Sequence, residues 1–401
     1  MFSCPHYNMN MRKSQEENVL IDFDKKGKVR DWRGKKMSSL GLAKVYKRIA
    51  DKMKPEYDRR GVHMRYKKVK RGNKDKIIDN IVGDIVSSEP MGLYDEDGKR
   101  VVNYEKRAGN MRFCGTYLEF ADMGAGLKLI NANFCRVPLC PMCQWRKSMR
   151  IFFDVSKIMR EVEKRRLNYI PVFLTLTVKN CSVEDLNKNL DIAFNGWNEV
   201  MRSRQLNPMV KGKITHIVKG WFRALEITYN DKTNTFHPHF HAIMLVEKSY
   251  FTGKDYMKTE DWVKLWRKSA KLDYDPVCDI RRTRSSNGKR KEVSEVAKYT
   301  YKDAEILSKK LSDDKKDDVV KYLSGALHGR RLYAYGGVMK EIAAELKIKD
   351  ADKVDLVKVD GEYGLDSSLA KMIISYHWNV GVSNYTLAKR VEVTGKVDSE
   401  A

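Results

Sequence analysis

Three histidines at alternate positions are the residues of this sequence best suited to bind a metal ion. His237, His239 and His241 lie in the run HPHFHAIM, which has the alternating pattern of a β-strand. Successive side chains on a strand point to opposite faces, so all three imidazoles would share one face. A lone strand histidine is usually just a hydrogen-bonding group, but three at this spacing predict a metal site.

A carboxylate is predicted to join these histidines from the neighbouring strand. Residues 221–229 and 236–246 predict two strands, joined by turn-forming residues. If the turn centres between residues 232 and 233, Glu226 lies directly opposite His239. Imidazole and carboxylate ligands suit Mn, Zn, Fe or Ni, and a site that acts on phosphate favours Mn or Mg.

Four cysteines form a second candidate metal site. Cys135, Cys140 and Cys143 follow a C-x4-C-x2-C spacing, and Cys114 lies upstream on a predicted strand. Four thiolates suit a closed, tetrahedral structural zinc site. The alternative is four buried or free thiols without a metal.

The charge of the chain limits the class of partner. The 401 residues carry a formal net charge of +25, which favours nucleic acid or an anionic membrane surface. No apolar run reaches the roughly 18 residues that span a bilayer, and the first residues lack the pattern of a signal peptide. We therefore expect a cytoplasmic protein, in which clustered cysteines favour metal binding over disulfides.

The elements that must position these residues follow a definite order. A buried strand at 171–178 precedes a helix at 182–204, for which Ser182 is the predicted N-cap. The two hairpin strands come next, then a helix marked by Trp262 and Trp266 and a strand at 277–281. This β-α-β-β-α-β order predicts an α+β fold with a split, ferredoxin-like core around an antiparallel sheet.

The stretch EVSEVAKYTYKDAEILSKKL predicts a further helix with Ser294 as a candidate cap. Glu295, Tyr299 and Lys302 recur at spacings of four and three and would share one face of it. Tyr301 would point roughly 200° away from Tyr299, so the two tyrosines cannot address one site. An exposed helical tyrosine usually serves packing, and only its neighbours favour a catalytic role here.

Together these motifs resemble the rolling-circle plasmid replication initiators of Gram-positive bacteria, within the superfamily of His–hydrophobic–His (HUH) endonucleases. The match runs in order through FLTLT, HPHFHAIM and EVAKYTYK, with the cysteine run FCRVPLCPMCQWR before them. The resemblance implies an HUH nuclease fold and metal-dependent, site-specific nicking of one strand at the plasmid origin.

The resemblance also implies roles for individual residues. His239 and His241 would be the metal-ligand pair. Tyr299 would be the nucleophile that forms a 5′-phosphotyrosine and leaves a free 3′-OH primer. Glu295 stands where this branch places the carboxylate that activates water at termination.

Two roles stay open within this interpretation. The hairpin register favours Glu226 as the third metal ligand, with His237 second. Lys302, one turn after Tyr299, is placed to stabilise the phenolate or the phosphate, and a plain solvated lysine is the alternative.

A phosphate-binding loop for an unwinding engine is not recognisable in the sequence. The pair Gly288–Lys289 comes nearest, but Thr283 stands where the first glycine of that loop belongs. We therefore expect a host helicase as a partner. A host DNA polymerase would extend the 3′-OH primer, since the family recruits both.

Two other classes of function compete with a replication initiator. One is a transposase or conjugative relaxase of the same superfamily. Relaxases usually carry their tyrosine before the histidine motif, and such transposases are typically shorter and lack the cysteine run. The other class is a non-catalytic, zinc-containing DNA-binding regulator. Decay to a regulator would have removed at least one of the four intact residues His239, His241, Glu295 and Tyr299.

We expect four regions along the chain. Residues 1–105 form a basic extension, either solvated or in contact with DNA phosphates, with a predicted amphipathic helix at 39–54. Residues 106–160 hold the zinc element and residues 161–345 the endonuclease domain. Residues 346–401 form a C-terminal appendage.

Overall fold

The structure is a computed structural model that describes residues 19–24, 27–70, 85–94, 96, 100–124, 126–283, 293, 296–297, 301–349, 356–357, 359 and 370–393. Helices and antiparallel sheets both build these ranges, as predicted for an α+β protein. Glu295 and Tyr299 lie outside the described residues.

The helices range from one turn to more than seven turns: α1 (Trp32–Arg59), α2 (Tyr104–Phe113), α3 (Pro141–Lys164), α4 (Leu186–Arg202), α5 (Thr259–Ser269), α6 (Asp303–Ile306), α7 (Asp313–Ala326) and α8 (Val338–Glu345). Within the described ranges, every helix is too short or too polar to cross a membrane.

The strands fall into several antiparallel sheets: β1 (His63–Lys70), β2 (Ile85–Tyr94), β3 (Arg100–Val101), β4 (Tyr117–Asp122), β5 (Leu127–Ala132), β6 (Tyr169–Thr177), β7 (Cys181–Ser182), β8 (Met209–Val210), β9 (Lys213–Ile214), β10 (Val218–Asn230), β11 (Thr235–Glu247), β12 (Cys278–Arg282), β13 (Tyr333–Gly337), β14 (Met372–Asn379) and β15 (Asn384–Glu392).

The central sheet has the strand order β12-β6-β11-β10-β13, and β7 pairs with one end of β11. Along the chain, the strands of this sheet and the two helices α4 and α5 follow as β6, β7, α4, β10, β11, α5, β12 and β13. Helices α4 and α5 pack against each other and against the sheet. Trp262 and Trp266, which mark the predicted helix, lie in the core, since both are almost fully buried. Trp266 also donates a 2.7 Å hydrogen bond from Nε1 to the carbonyl of Thr177.

The first helix is longer than predicted and belongs to the folded core. It begins after Asp31, whose Oδ1 accepts a 2.8 Å hydrogen bond from the amide of Gly34 and so caps the first turn. Its apolar face, which includes Leu42 and Tyr46, is buried. Because α1 packs against α2, α3 and α7, this part of the N-terminal region is not a solvated extension.

A second sheet joins distant parts of the chain in the order β15-β14-β4-β5. Strand β4 follows Cys114 closely, whereas β14 and β15 come from the last thirty residues of the chain. Tyr385 of β15 is fully buried and donates a 2.5 Å hydrogen bond to the carbonyl of Gly115. Residues 372–392 therefore pack on the segment that carries Cys114.

Two predicted helices differ from those in the structure. Helix α4 begins at Leu186, because Cys181 and Ser182 pair with β11 and are held extended. Ser182 instead hydrogen-bonds the side chain of Asp185 at 3.0 Å. The predicted helix at 292–311 is interrupted, since Lys302 has extended dihedral angles (φ −101°, ψ 114°) and precedes the short α6.

Candidate metal centres

The predicted hairpin register is correct, and it sets the geometry of the first site. Glu226 on β10 lies directly opposite His239 on β11. Oε2 of Glu226 lies 3.5 Å from Nε2 of His239 and 3.1 Å from Nε2 of His241. The three donor atoms all lie within 4.8 Å of one another. We refer to Glu226, His239 and His241 as the sheet-face site.

The hydrogen bond behind His239 directs its lone pair into the sheet-face site, and the contact behind His241 is compatible with the same arrangement. Nδ1 of His239 lies 3.2 Å from the carbonyl oxygen of His237, which can only accept, so Nδ1 carries the proton. Nδ1 of His241 lies 3.1 Å from the hydroxyl of Thr175 on β6. A neutral imidazole protonated at Nδ1 presents an unprotonated Nε2, which is the form that binds metals.

The electrostatics of Glu226 fit a site for a cation. Burial alone would raise the pKa of this carboxyl, but His239 and His241, when their Nε2 atoms carry a proton, donate hydrogen bonds that outweigh burial and hold the pKa well below its usual range; a bound cation would take the place of those protons. Its side chain is only 11% exposed. A buried carboxylate that faces two nitrogen lone pairs requires positive charge between them. The donor set therefore fits a divalent cation.

His237 shares the strand face but not the cluster. Its Nδ1 lies 2.7 Å from the side-chain oxygen of Asn180. Burial, followed by the neighbouring His239, lowers its pKa. The ring lines a cleft of about 490 Å³ at the turn of the hairpin, together with Thr228 and Asp231. The geometry therefore places Glu226, and not His237, beside His239 and His241 as the third donor.

The four predicted cysteines also converge, and we refer to them as the cysteine site. Sγ of Cys114 lies 3.5 Å from Sγ of Cys140 and of Cys143, and Sγ of Cys135 lies 3.7 Å from that of Cys143. A tetrahedral zinc ion with bonds near 2.3 Å separates its sulfurs by about 3.8 Å. A disulfide needs about 2.0 Å, and all four are free thiols.

The cysteine site is closed by groups that suit thiolates. The amides of Cys135 and Arg136 donate to the sulfurs of Cys114 and Cys143 at 3.4 Å and 3.2 Å. Ser39 of α1 places its hydroxyl 3.3 Å from the sulfur of Cys140. Such contacts orient thiolate ligands and complete their environment.

A fully buried lysine adds a charge argument for the cysteine site. Nζ of Lys36 donates to the carbonyls of Arg112 and Cys114 at 2.6 Å and 2.8 Å. Burial lowers its pKa, and the nearby cysteines oppose that shift. Four thiolates around a divalent cation carry two net negative charges, which would stabilise a buried ammonium. The surroundings therefore fit a metal-bound cysteine cluster.

Sequence reasoning placed Cys114 on a strand, which is wrong. Cys114 directly follows α2, and β4 begins three residues later. Helix α2 has a weak amphipathic pattern, so its end was not visible in the sequence.

The basic residues after Cys143 are core groups rather than DNA contacts. Arg146 is fully buried and donates to the carbonyls of Leu356 and Val357 at 3.0 Å and 2.8 Å. Arg150 is also buried and pairs with Asp154 at 2.8 Å. This face of α3 therefore contacts residues 356–357 through Arg146 and stabilises the fold.

Comparison with known proteins agrees with these features. A family profile described as "Replication protein" matches residues 126–386. A "Protein rep" from Bacillus amyloliquefaciens is 33% identical over 388 residues, which cover 92% of this chain and 97% of that protein. The chain belongs to this replication protein family. The predicted resemblance to plasmid replication initiators of Gram-positive bacteria is confirmed.

Further relatives of this replication protein have similar names. A "Protein rep" from a Bacillus species is 39% identical over 274 residues, covering 64% of this chain and 86% of that protein. Another from Streptococcus pneumoniae is 29% identical over 374 residues, covering 92% and 96%. No solved structure matches the chain. The match favours an initiator over a transposase, a relaxase or a regulator.

Proposed function

We propose that this replication protein is an HUH-type endonuclease and strand transferase that nicks one strand of a plasmid origin with Tyr299. The observation that carries the proposal is the convergence of one carboxylate oxygen and two imidazole nitrogens on one face of the central sheet. The antiparallel central sheet, with α4 and α5 packed against it, supports the proposal.

Glu226, His239 and His241 would hold a divalent cation, with Mn favoured over Mg because two ligands are imidazoles. A bound cation supplies charge neutralisation at a phosphodiester and orients the scissile group. The His237 carbonyl, and the Thr175 hydroxyl when it accepts a hydrogen bond from Nδ1 of His241, would keep the two imidazoles in the ligating form. In this proposal His237 contacts the DNA strand in the cleft rather than the cation.

The proposed reaction exchanges one ester bond for another. The phenolate oxygen of Tyr299 attacks the phosphorus, the bond from phosphorus to the 3′ oxygen breaks, and that oxygen takes up a proton. The products are a 5′-phosphotyrosine and a free 3′-OH, and the retained ester energy permits rejoining without ATP. Lys302 is extended and so does not continue the predicted helix face, and its Nζ lies 3.3 Å from the carboxylate of Glu305; from this position it would stabilise the phenolate or the phosphate during attack.

Termination would use the same face with a different nucleophile. We propose that Glu295 removes a proton from water, which attacks the phosphotyrosine and releases Tyr299 with a 5′-phosphate on the DNA. Hydrolysis ends the reaction, whereas attack by a 3′-OH rejoins the strand. Glu295 thereby separates the chemistry of initiation from that of termination.

The remaining parts of the proposal concern zinc and partners. The cysteine site would hold a structural zinc ion, because its four sulfurs leave no position for substrate. The DNA partner would be the plasmid origin, presented to the sheet face as single strand or hairpin. A host helicase and a host DNA polymerase would act with it in the bacterial cytoplasm.

A cleavage assay tests the proposal directly. Wild type and Tyr299→Phe would be incubated with Mn or Mg and a single-stranded oligonucleotide that carries the origin of the cognate plasmid. We expect a denaturant-resistant protein–DNA adduct with the wild type and none with Tyr299→Phe. An adduct that survives the substitution would assign the nucleophile elsewhere, and an absence of cleavage would refute the nicking function.

A further inference from the structure

The edge strand β12 presents two exposed arginines on opposite faces of the central sheet. Arg281 pairs with Phe173 of β6, and Arg282 pairs with Val172. Thr175, two residues after Phe173, lies opposite His241 of β11. Because paired residues share a face and neighbours alternate, Arg281 lies on the face of the sheet-face site. Arg282 lies on the other face.

Contacts between rings link Arg281 to a proposed metal ligand. The ring of Phe173 stacks on His241, with 5.4 Å between centroids and 27° between planes. The guanidinium carbon of Arg281 lies 5.2 Å from the centroid of the same Phe173 ring. Arg282 contacts Phe251 instead, also at 5.2 Å. Phe173 therefore holds the guanidinium of Arg281 beside the sheet-face site, and Phe251 holds that of Arg282 on the opposite face of the sheet.

The guanidinium of Arg281 remains accessible to a ligand. Its side chain is 64% exposed, and its Nε lies 2.8 Å from the carboxylate of Asp279. That contact uses one of the five N–H donors of an arginine, which leaves the paired Nη groups for another anion. An exposed ion pair of this kind contributes only about 0–1 kcal/mol, so a phosphate can compete with Asp279.

The distance to the proposed reaction centre suits a neighbouring phosphate. Strand β6 lies between β12 and β11, so two strand spacings of about 4.8 Å place Arg281 about 10 Å from the histidine strand. A nucleic-acid strand rises about 3.4 Å per nucleotide when stacked. A strand bound at the sheet-face site therefore has a phosphate near Arg281 within about three nucleotides of the scissile bond.

We propose that Arg281, stacked on Phe173, binds a backbone phosphate of the single strand that crosses the sheet-face site. Arg281 is thus a positioning residue, and Asp279 is the carboxylate that the phosphate displaces. A guanidinium matches phosphate oxygens with two parallel hydrogen bonds. This inference rests on the proposed function, since it assumes that DNA crosses this face.

The test measures binding without cleavage. Affinity of the full-length protein for fluorescein-labelled oligothymidylate would be followed by fluorescence anisotropy at several salt concentrations, in buffer without chelator and without added Mn or Mg, so that the cysteine site keeps its ion while cleavage is prevented. For Arg281→Ala we expect about tenfold weaker binding, as for a lost hydrogen bond to a charged group, and a salt slope smaller by about 0.7. Arg281→Lys keeps the charge and should keep the slope while losing part of the affinity.

Two variants separate this role from a structural one. Arg282→Ala removes the same side chain from the opposite face and should bind like the wild type. Asp279→Asn removes the competing carboxylate and should bind more tightly. Equal affinity of Arg281→Ala and wild type, or equal losses for Arg281→Ala and Arg282→Ala, would overturn the inference. If wild type binds but never cleaves, nicking fails while the comparison of arginines still decides the inference.

Discussion

The sheet-face site and the cysteine site each gather donors for one cation, yet they are built differently. The sheet-face site takes all three donors from a single hairpin. The cysteine site takes its four donors from the end of α2, a loop and α3, and side chains of α1 enclose it. A closed set of four thiolates suits a structural ion, whereas three donors with an open side suit a reacting ligand.

The difference also concerns what holds each set of donors in place. The backbone ladder between β10 and β11 fixes Glu226 opposite His239 whether or not a cation is bound. Residues 133–140 have no strand or helix of their own, although they carry two of the four cysteines. We infer that a cation is required for folding at the cysteine site and for reactivity at the sheet-face site.

The largest expected effect is loss of folding when the cysteine site is broken. Structural zinc sites contribute about 10–16 kcal/mol, which is comparable to the whole stability of a domain at about 5–15 kcal/mol. Cys140→Ser should therefore lose bound zinc and its helical signal together, measured by elemental analysis and circular dichroism. Cys278→Ser is the control, since Cys278 is a buried free thiol outside the cluster. If Cys140→Ser lacks zinc but keeps a native circular dichroism spectrum, the ion has no structural role.

The second effect concerns activity without unfolding. His239→Ala deletes one donor from a ladder that persists, so we expect a native melting temperature within a few degrees and unchanged binding to duplex DNA. Nicking should fall by more than about 100-fold, because even the loss of a supporting contact costs about 10- to 100-fold. Parallel binding and nicking assays check this expectation. Equal loss of both would argue against a metal ligand.

A smaller effect tests the support behind the sheet-face site. Thr175→Val removes the hydroxyl that contacts Nδ1 of His241, and should weaken cation affinity by about 10- to 100-fold. Calorimetric titration with Mn measures it. Thr177→Val is the matched control, because the Thr177 hydroxyl donates to the carbonyl of Val277 instead. If both variants bind Mn like the wild type, Thr175 does not orient the imidazole.

Short-range sequence patterns predicted the sheet-face site more accurately than they predicted the helices and strands around it. The position of Glu226 opposite His239 follows from strand alternation and the centre of one turn, both of which are local. The extended backbone at Lys302 follows from tertiary contacts, since its neighbour Tyr301 is buried against the loop that carries Cys140. Lys36 was one of many lysines in a basic stretch, and its burial depends on a distant carbonyl at Cys114.

The smallest expected effect concerns Tyr301, which contacts the loop of the cysteine site and lies two residues after the proposed nucleophile in the sequence. Tyr301 is 3% exposed, and its hydroxyl donates to the carbonyl of Leu139, next to Cys140. Burial raises its pKa well above the usual value, which disfavours a phenolate nucleophile. Tyr301→Phe should cost about 1 kcal/mol of unfolding free energy and retain both zinc and adduct formation, measured by denaturant titration and the cleavage assay. An adduct lost in Tyr301→Phe but retained in Tyr299→Phe would exchange the roles of the two tyrosines. In that case the nucleophile would be Tyr301, whose hydroxyl contacts the loop of the cysteine site. The cysteine site would then be part of the reaction centre rather than a structural support for it.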